Sequence, residues 1–350
     1  MKYSPLGDSG LSVSRVCLGS MTWGLQNNQS DADEQIAYAL SQGVNFIDTA
    51  EMYSVPPSEK TYGKTEEIIG DWLSRHPEQR KDIILASKIA GPGFSYIRDN
   101  APITGANVIK AVEGSLKRLQ TDYLDLYQLH WPNRSTPHFG THWPNDIDFL
   151  EQDSSLHIEQ KLDILEGLAQ CVKSGKIRHC GLSDDTPWGI SQYLRLSEKH
   201  NLPKMVSIQN EFSLLHAQDW PHLIEQCANE NIAYLPWSPL ATGALTGKYM
   251  NGARPDGCRW NLEQRNGLFR DTENTHKAVS AYVDVAKSHG ISPAHLALGW
   301  CDQVKGVTSS IIGATTMEQL TQNITSYAQP LSNEVLADIA QVFKQYPSPF

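Results

Sequence analysis

Phe46-Ile47-Asp48-Thr49-Ala50-Glu51-Met52-Tyr53 decides how this chain folds. An apolar, strand-like run, Val44 to Ile47, ends there in an acid and a phenol that a core would not accept. The design recurs twice downstream. The run Ile83 to Ala86 leads to Lys88, and the run Tyr123 to Leu129 leads to His130. An acid, a phenol, an amine and an imidazole at the ends of three successive strands meet at one point only if those strands lie parallel. A phenol beside an ammonium and a carboxylate is a way to make a proton donor.

Outward from that stretch, strands and helices alternate. Gly7-Asp8-Ser9-Gly10 is a turn signal between strand-prone pieces and predicts a short hairpin. Strands are predicted at 15–18, 44–47, 83–87, 123–129, 177–182, 205–208, 232–235 and 307–312. Helices are predicted at 31–42, 64–76, 106–119, 158–174, 188–200, 220–229, 275–288, 293–303, 317–326 and 333–345. Ser30 is the predicted N-cap of the first helix, and Gly43 its stop. Eight strands, each followed by a helical segment, predict an α/β fold: a (β/α)8 TIM barrel with an N-terminal β-hairpin and extra C-terminal helices. No composition break marks a second domain, so residues 1–350 are expected to form one. The active site of such a barrel lies at the strand ends, and the long loops 131–157 and 238–273 fall on that face.

Composition narrows the partners. A net charge of −10 with no Lys/Arg run argues against a nucleic-acid face. No segment approaches the ~18 apolar residues of a membrane span, and Met1 to Gly7 lacks an apolar signal core, so a cytoplasmic location is expected. The six cysteines are widely spaced without a CxxC pair, which favours reduced thiols. His138 and His142 have H-x3-H spacing but no third ligand at sensible spacing. They read as loop residues or pocket lining, and no metal is expected.

The remaining strand ends suit a large polar ligand. They are Gly19-Ser20-Met21-Thr22-Trp23-Gly24, Ser183-Asp184-Asp185, Gln209-Asn210, Trp237-Ser238-Pro239-Leu240 and Gly313-Ala314-Thr315-Thr316. Together with the stretches 43–53, 86–88, 119–132, 175–183, 237–249 and 312–323, they carry a resemblance that runs the length of the chain. The chain resembles the aldo-keto reductases. Within that family it is similar to the bacterial Tas-type reductases, in the branch that includes the potassium-channel β subunits.

The resemblance implies reduction of a small carbonyl compound, an aldehyde or ketone, by hydride from NADPH. Tyr53 would donate the proton. Free tyrosine has a pKa of about 10, and a neighbouring ammonium lowers it; Lys88 is expected to do this, held in place by Asp48. His130 would orient the carbonyl. On the cofactor side, the resemblance gives Ser183, Asp184 and Gln209 to the nicotinamide carboxamide and Trp237 to the ring face. It gives Ser238, Leu240, Gly243 and Lys248 to the pyrophosphate, and Thr315, Gln319, Gln322 and Asn323 to the adenosine and its 2′-phosphate. Gly19, Met21 and Gly313 are likewise expected at the cofactor, and Lys248 with Arg259 or Arg265 would supply positive charge.

Trp23, Met52 and Trp131, with Phe139 and Trp143, are candidates for the substrate side. No GxGxxG occurs, so a Rossmann site is unsupported. Two positions depart from the family pattern. Asp184 stands where Asn is usual, and as a carboxylate would lose a donor; Trp237 stands where Tyr is usual and is bulkier. The alternatives are a non-catalytic or weakly catalytic NADP(H)-binding sensor, and a lyase with a Schiff base on Lys88. The sequence leaves monomer and homo-oligomer both open.

Overall fold

The computed structural model describes residues 1–141, 143–262 and 268–350. β1 (Tyr3–Pro5) and β2 (Ser12–Ser14) pair antiparallel as the predicted hairpin. Eight parallel strands follow: β3 (Val16–Gly19), β4 (Phe46–Asp48), β5 (Ile84–Ile89), β6 (Leu124–Leu129), β7 (Ile177–Ser183), β8 (Met205–Gln209), β9 (Ala233–Tyr234) and β10 (Ser310–Ile312). Their order in the sheet is β10-β3-β4-β5-β6-β7-β8-β9. Parallel bridges Tyr234–Val307 and Trp237–Ile311 bring the two edges together and close the barrel.

The helices are α1 (Gln29–Ser41), α2 (Lys64–Arg75), α3 (Gly105–Leu119), α4 (Ser154–Lys173), α5 (Pro187–His200), α6 (His222–Asn229), α7 (Glu273–Ser288), α8 (Pro293–Gln303), α9 (Met317–Ser326) and α10 (Asn333–Gln345). Several starts shift by one to four residues from the sequence reading, and two of them show why. The α1 cap is Asn28, not Ser30, because Asn28 and Asp31 each accept the other's backbone N–H in a reciprocal box. Helix α4 begins at Ser154 rather than 158 because the Asp153 carboxylate caps the Ser155 and Leu156 N–H groups.

Side-chain alternation along the strands creates the site. Successive residues point to opposite faces, so Phe46 and Asp48 share a face, as do Ala86 and Lys88, and Leu126 and Gln128. The outward set, including Ile47, Leu85, Leu129 and Leu182, packs under the helices. The inward set is apolar at the floor, where Cys17, Phe46, Ala86, Leu126 and Val206 cluster with Leu6 and Val13 of the hairpin segment. It becomes polar only at the mouth. The floor is tight: Leu6 and Val13 are fully buried.

The long segment after β9 rests on an apolar cluster of its own with α7, α8 and α10, in which Tyr249 stacks on Trp260 at 4.1 Å. A buried ion pair, Arg270 Nε to Glu211 Oε1 at 2.9 Å, ties it to the end of β8. Among the described residues, no helix is long and apolar enough to cross a membrane.

Gly7 fixes how closely the hairpin turn approaches the barrel. Its φ is +53°, and a Cβ would lie 2.4 Å from the Val206 carbonyl oxygen and 2.6 Å from that of Asn231. Gly7→Ala is expected to lower stability by about 1–3 kcal/mol through strain and overpacking. A urea-melt midpoint equal to that of the parent protein would show that the plug tolerates the methyl group.

Candidate active site

Asp48, Lys88 and Gln128 reach the barrel mouth from β4, β5 and β6, with Lys88 and Gln128 in register. Lys88 Nζ donates to Asp48 Oδ2 at 2.5 Å and to the Thr49 carbonyl at 2.8 Å. Asp48 Oδ1 accepts from Gln128 Nε2 at 3.1 Å and Gln209 Nε2 at 3.0 Å. Both carboxylate oxygens are therefore occupied, and the fully buried ammonium has its counter-charge. Burial pulls the Lys88 pKa down, but Asp48 and Tyr53 outweigh it and the net shift is upward, so the ammonium persists.

Tyr53 and His130 complete the group. The Lys88 ammonium lies 4.9 Å from the Tyr53 ring centroid, and the His130 ring sits edge-on to Tyr53 at 5.5 Å. The His130 backbone N–H donates to the Ile89 carbonyl at 3.0 Å, and the imidazole ring leans on Trp131 at 4.8 Å. The expected drop in the Tyr53 pKa is corrected here. Burial raises it by more than the Lys88 charge lowers it, and Asp48 raises it further, so the net shift is upward. The phenol thus holds its proton through neutral pH.

Several supports escaped the sequence reading. Gln128 could have been found as a polar residue on the inward parity of an apolar run. Glu51, fully buried between Asp48 and Tyr53, accepts from the Ala90 N–H and from Arg98, each at 2.7 Å, which pins the Tyr53 turn to the end of β5. Glu66 accepts from Ser87 at 2.5 Å and Arg118 at 2.6 Å behind that strand. Neither pairing leaves a local signal, since the partners are 47 and 52 residues apart for the two arginines.

On the opposite side of the mouth, Ser183 ends β7 and Asp184 follows with φ +50° and 2% exposure. Trp237 Nε1 donates to Asp184 Oδ1 at 3.1 Å. Burial pushes the Asp184 pKa well above the carboxylate range; the indole N–H opposes this, while Glu211 and Asp219 add to it. His138 Nδ1 is 3.9 Å from the same oxygen, but burial holds the His138 pKa at about 4, so it brings no charge at neutral pH. Gln209 spends its amide N–H groups on Asp48 and Gln128.

Beyond Trp237, Ser238 has φ +54° and Leu240 packs partly buried between the two main apolar clusters. Gly243 leaves room for Lys248, whose Cε would lie 2.8 Å from a Cβ there. The Lys248 pKa is lowered by burial and by the positive charge of Arg259, whose field also reaches Tyr53. Thr315 donates its N–H and hydroxyl to Gln319 Oε1 at the start of α9, and Asn323 Nδ2 donates to the Gly313 carbonyl at 3.3 Å. Gly313 and Gln322 are exposed beside them. A Cβ at Gly19 would fall 2.8 Å from Ile311 Cγ2, so strand packing requires that glycine.

The substrate-side candidates divide. Met52 and Met21 belong to a small apolar cluster against Tyr53, joined by Phe94, Tyr96 and Trp131. Trp131 is anchored by its Nε1 to the Pro92 carbonyl at 3.0 Å. Trp23 is a correction: it is fully buried and its Nε1 donates to Gln35 Oε1 at 2.9 Å, so it belongs to the core under α1. Phe139 stacks on Trp237 at 5.8 Å, and Trp143 is largely exposed. Arg265 and His142 lie outside the described residues.

Comparison with known proteins agrees with this layout. The model of the Aldo/keto reductase family matches residues 15–344. Protein tas of Escherichia coli (strain K12) is 44% identical over 352 residues, covering 100% of this chain and 99% of that one. The uncharacterized oxidoreductase YrpG of Bacillus subtilis (strain 168) is 30% identical, over 98% of this chain and 96% of its own. A probable voltage-gated potassium channel subunit beta of Arabidopsis thaliana is 29% identical over 99% and 98% of the two chains.

Lys88→Met leaves Asp48 buried without its counter-ion, and is expected to cost about 3–5 kcal/mol of stability. Adding Asp48→Asn to it should restore part of that loss. Chemical denaturation of the two single variants and the double variant measures the coupling, and additive losses would mean that the pair contributes no coupling energy.

Proposed function

The chain belongs to the aldo/keto reductase family, and from that premise we propose that it reduces aldehydes and ketones to alcohols with NADPH, Tyr53 supplying the proton. The observation that carries this reading is the protonated Tyr53 phenol held between the Lys88 ammonium and the His130 ring at the barrel mouth.

The residues present fit a dinucleotide phosphate. Lys248 and Arg259 approach closely enough for one cation to depress the other's pKa, an arrangement that an anion relieves. The N-terminus of α9, capped by Thr316, offers a positive dipole end nearby in sequence to Gly313 and Thr315. Ser183, Asp184 and the remaining Gln209 Oε1 offer polar atoms for a carboxamide, and Trp237 offers a ring face. When bound, NADPH supplies the hydride that reduces the carbonyl carbon.

The protein's own residues supply the rest. His130 hydrogen-bonds the carbonyl oxygen and fixes its direction. The Tyr53 hydroxyl gives its proton to that oxygen as negative charge builds there. The Lys88 ammonium stabilises the phenolate left behind, and Asp48 holds the ammonium in place. In the reverse direction Tyr53 acts as the base. Met52, Trp131 and their apolar neighbours suit a substrate with an aromatic or aliphatic body. The substrate is a small molecule handled in the cytoplasm, without nucleic acid, membrane or metal.

NADPH oxidation with a panel of aldehydes such as 4-nitrobenzaldehyde and methylglyoxal tests this. Tyr53→Phe is expected to lower turnover by about 10²–10⁴-fold with NADPH binding retained; equal rates in the two proteins would remove Tyr53 from the proton path. Lys248→Met should weaken NADPH by about tenfold, ~1.4 kcal/mol, with a smaller effect on NADH. An unchanged NADPH-to-NADH ratio would assign phosphate recognition elsewhere.

A further inference from the structure

The two positions that depart from the family pattern touch each other. Asp184 and Trp237 are 53 residues apart, yet the indole N–H of one donates to a carboxyl oxygen of the other at 3.1 Å. The neighbouring acids have their own partners. Asp185 is paired with Arg134 at 2.5 Å, Glu211 with Arg270, and Asp219 accepts from Tyr234 at 2.7 Å and Asn210 at 3.0 Å. Asp184, at 2% exposure, forms no ion pair with a Lys or Arg among the described residues. Its one basic neighbour within ion-pair range is His138, itself buried and uncharged at neutral pH. A carboxylate in such a place, with a neutral indole N–H as its support, is far costlier than a carboxylic acid. The direction of its pKa shift agrees with the geometry.

We propose that Asp184 works as a carboxylic acid, with Trp237 fixing Oδ1 as the acceptor, so that the hydroxyl on Oδ2 donates to the nicotinamide carboxamide in place of an asparagine N–H. This rests on the cofactor reading above. It removes the donor deficit that a carboxylate would have at this position, and it gives Trp237 a second role besides its ring face: it orients the acid. Loss of the proton would also set Asp184 against Glu211 and Asp219; the Lys88 ammonium of β5 opposes this, while His138, after β6, stays uncharged because burial and His216, after β8, both disfavour its charged form. The sign follows. An acid whose pKa is raised in the folded protein is fully protonated below that value and loses its proton as pH rises through it. Cofactor affinity is therefore full on the acid side and falls on the alkaline side.

Two measurements test the proposal. The first needs no ligand: infrared difference spectra of the parent protein at neutral pH should contain the C=O band of a protonated carboxyl group that disappears in Asp184→Asn and shifts in Trp237→Phe. The second is NADP+ binding by calorimetry from acid to alkaline pH. The parent protein should lose affinity relative to Asp184→Asn as pH rises, approaching tenfold per pH unit above the Asp184 pKa, with the ratio of the two levelling off on the acid side. Absence of an Asp184-dependent carboxyl band, with binding intact, overturns the acid form alone. A parent-to-variant affinity ratio that stays flat, or rises with pH, overturns the donation. No NADP+ binding by the parent protein at any pH, with the band present, overturns the cofactor reading and the donation with it.

Discussion

A single buried ion pair sets the terms for the site. Lys88 and Asp48 meet at 2.5 Å inside a closed barrel, where an unpaired ammonium or carboxylate would cost several kcal/mol. That pairing constrains much else. It needs β4 and β5 parallel, with Asp48 opposite Ala86, so that Lys88, two residues further along on the same inward face, can reach back to the carboxylate. It needs Gln128 and Gln209 to occupy the other carboxylate oxygen. It also depends on the apolar floor formed by Leu6, Val13 and the lower inward residues, which keeps the interior beneath the pair dry.

The same burial acts in two directions on Tyr53. The Lys88 ammonium, 4.9 Å from the ring centroid, favours the phenolate. Desolvation of the phenolate opposes this and prevails while the site holds the neutral phenol. The two effects serve different moments. In the proposed reaction, burial would keep the proton in place beforehand, and the ammonium would become useful only once the proton has left. An alkoxide is a much stronger base than a phenolate, so transfer does not require a lowered ground-state pKa.

The barrel was legible because its signals are local and repeated. Apolar runs ending in a polar residue, glycine stops at Gly43 and Gly175, and helical spacing all fall within short windows. Contacts between distant segments left no such trace. Nothing near Trp23 says that its indole will find Gln35 rather than a ligand, since the partner lies 12 residues away on α1. Arg270 and Glu211 are 59 residues apart, and their pairing exists only once the long segment has folded back. The sign of the Tyr53 shift was also out of reach, because it depends on how completely the ring is buried. The α1 cap was closer to hand: Asn28 and Asp31 form a recognisable box, and Ser30 is a competing signal within the same turn.

The hydrogen bond between Trp237 and Asp184 also has a consequence for the history of the chain. Residues on separate loops normally drift independently, and each substitution is accepted or lost on its own merits. Here a donor on one loop meets an acceptor on another at 3.1 Å, so the fitness effect of a change at either position depends on the residue at the other. Exchange of either residue alone removes the partner of a buried polar atom on the other loop, so the first change sets what the second position must accommodate.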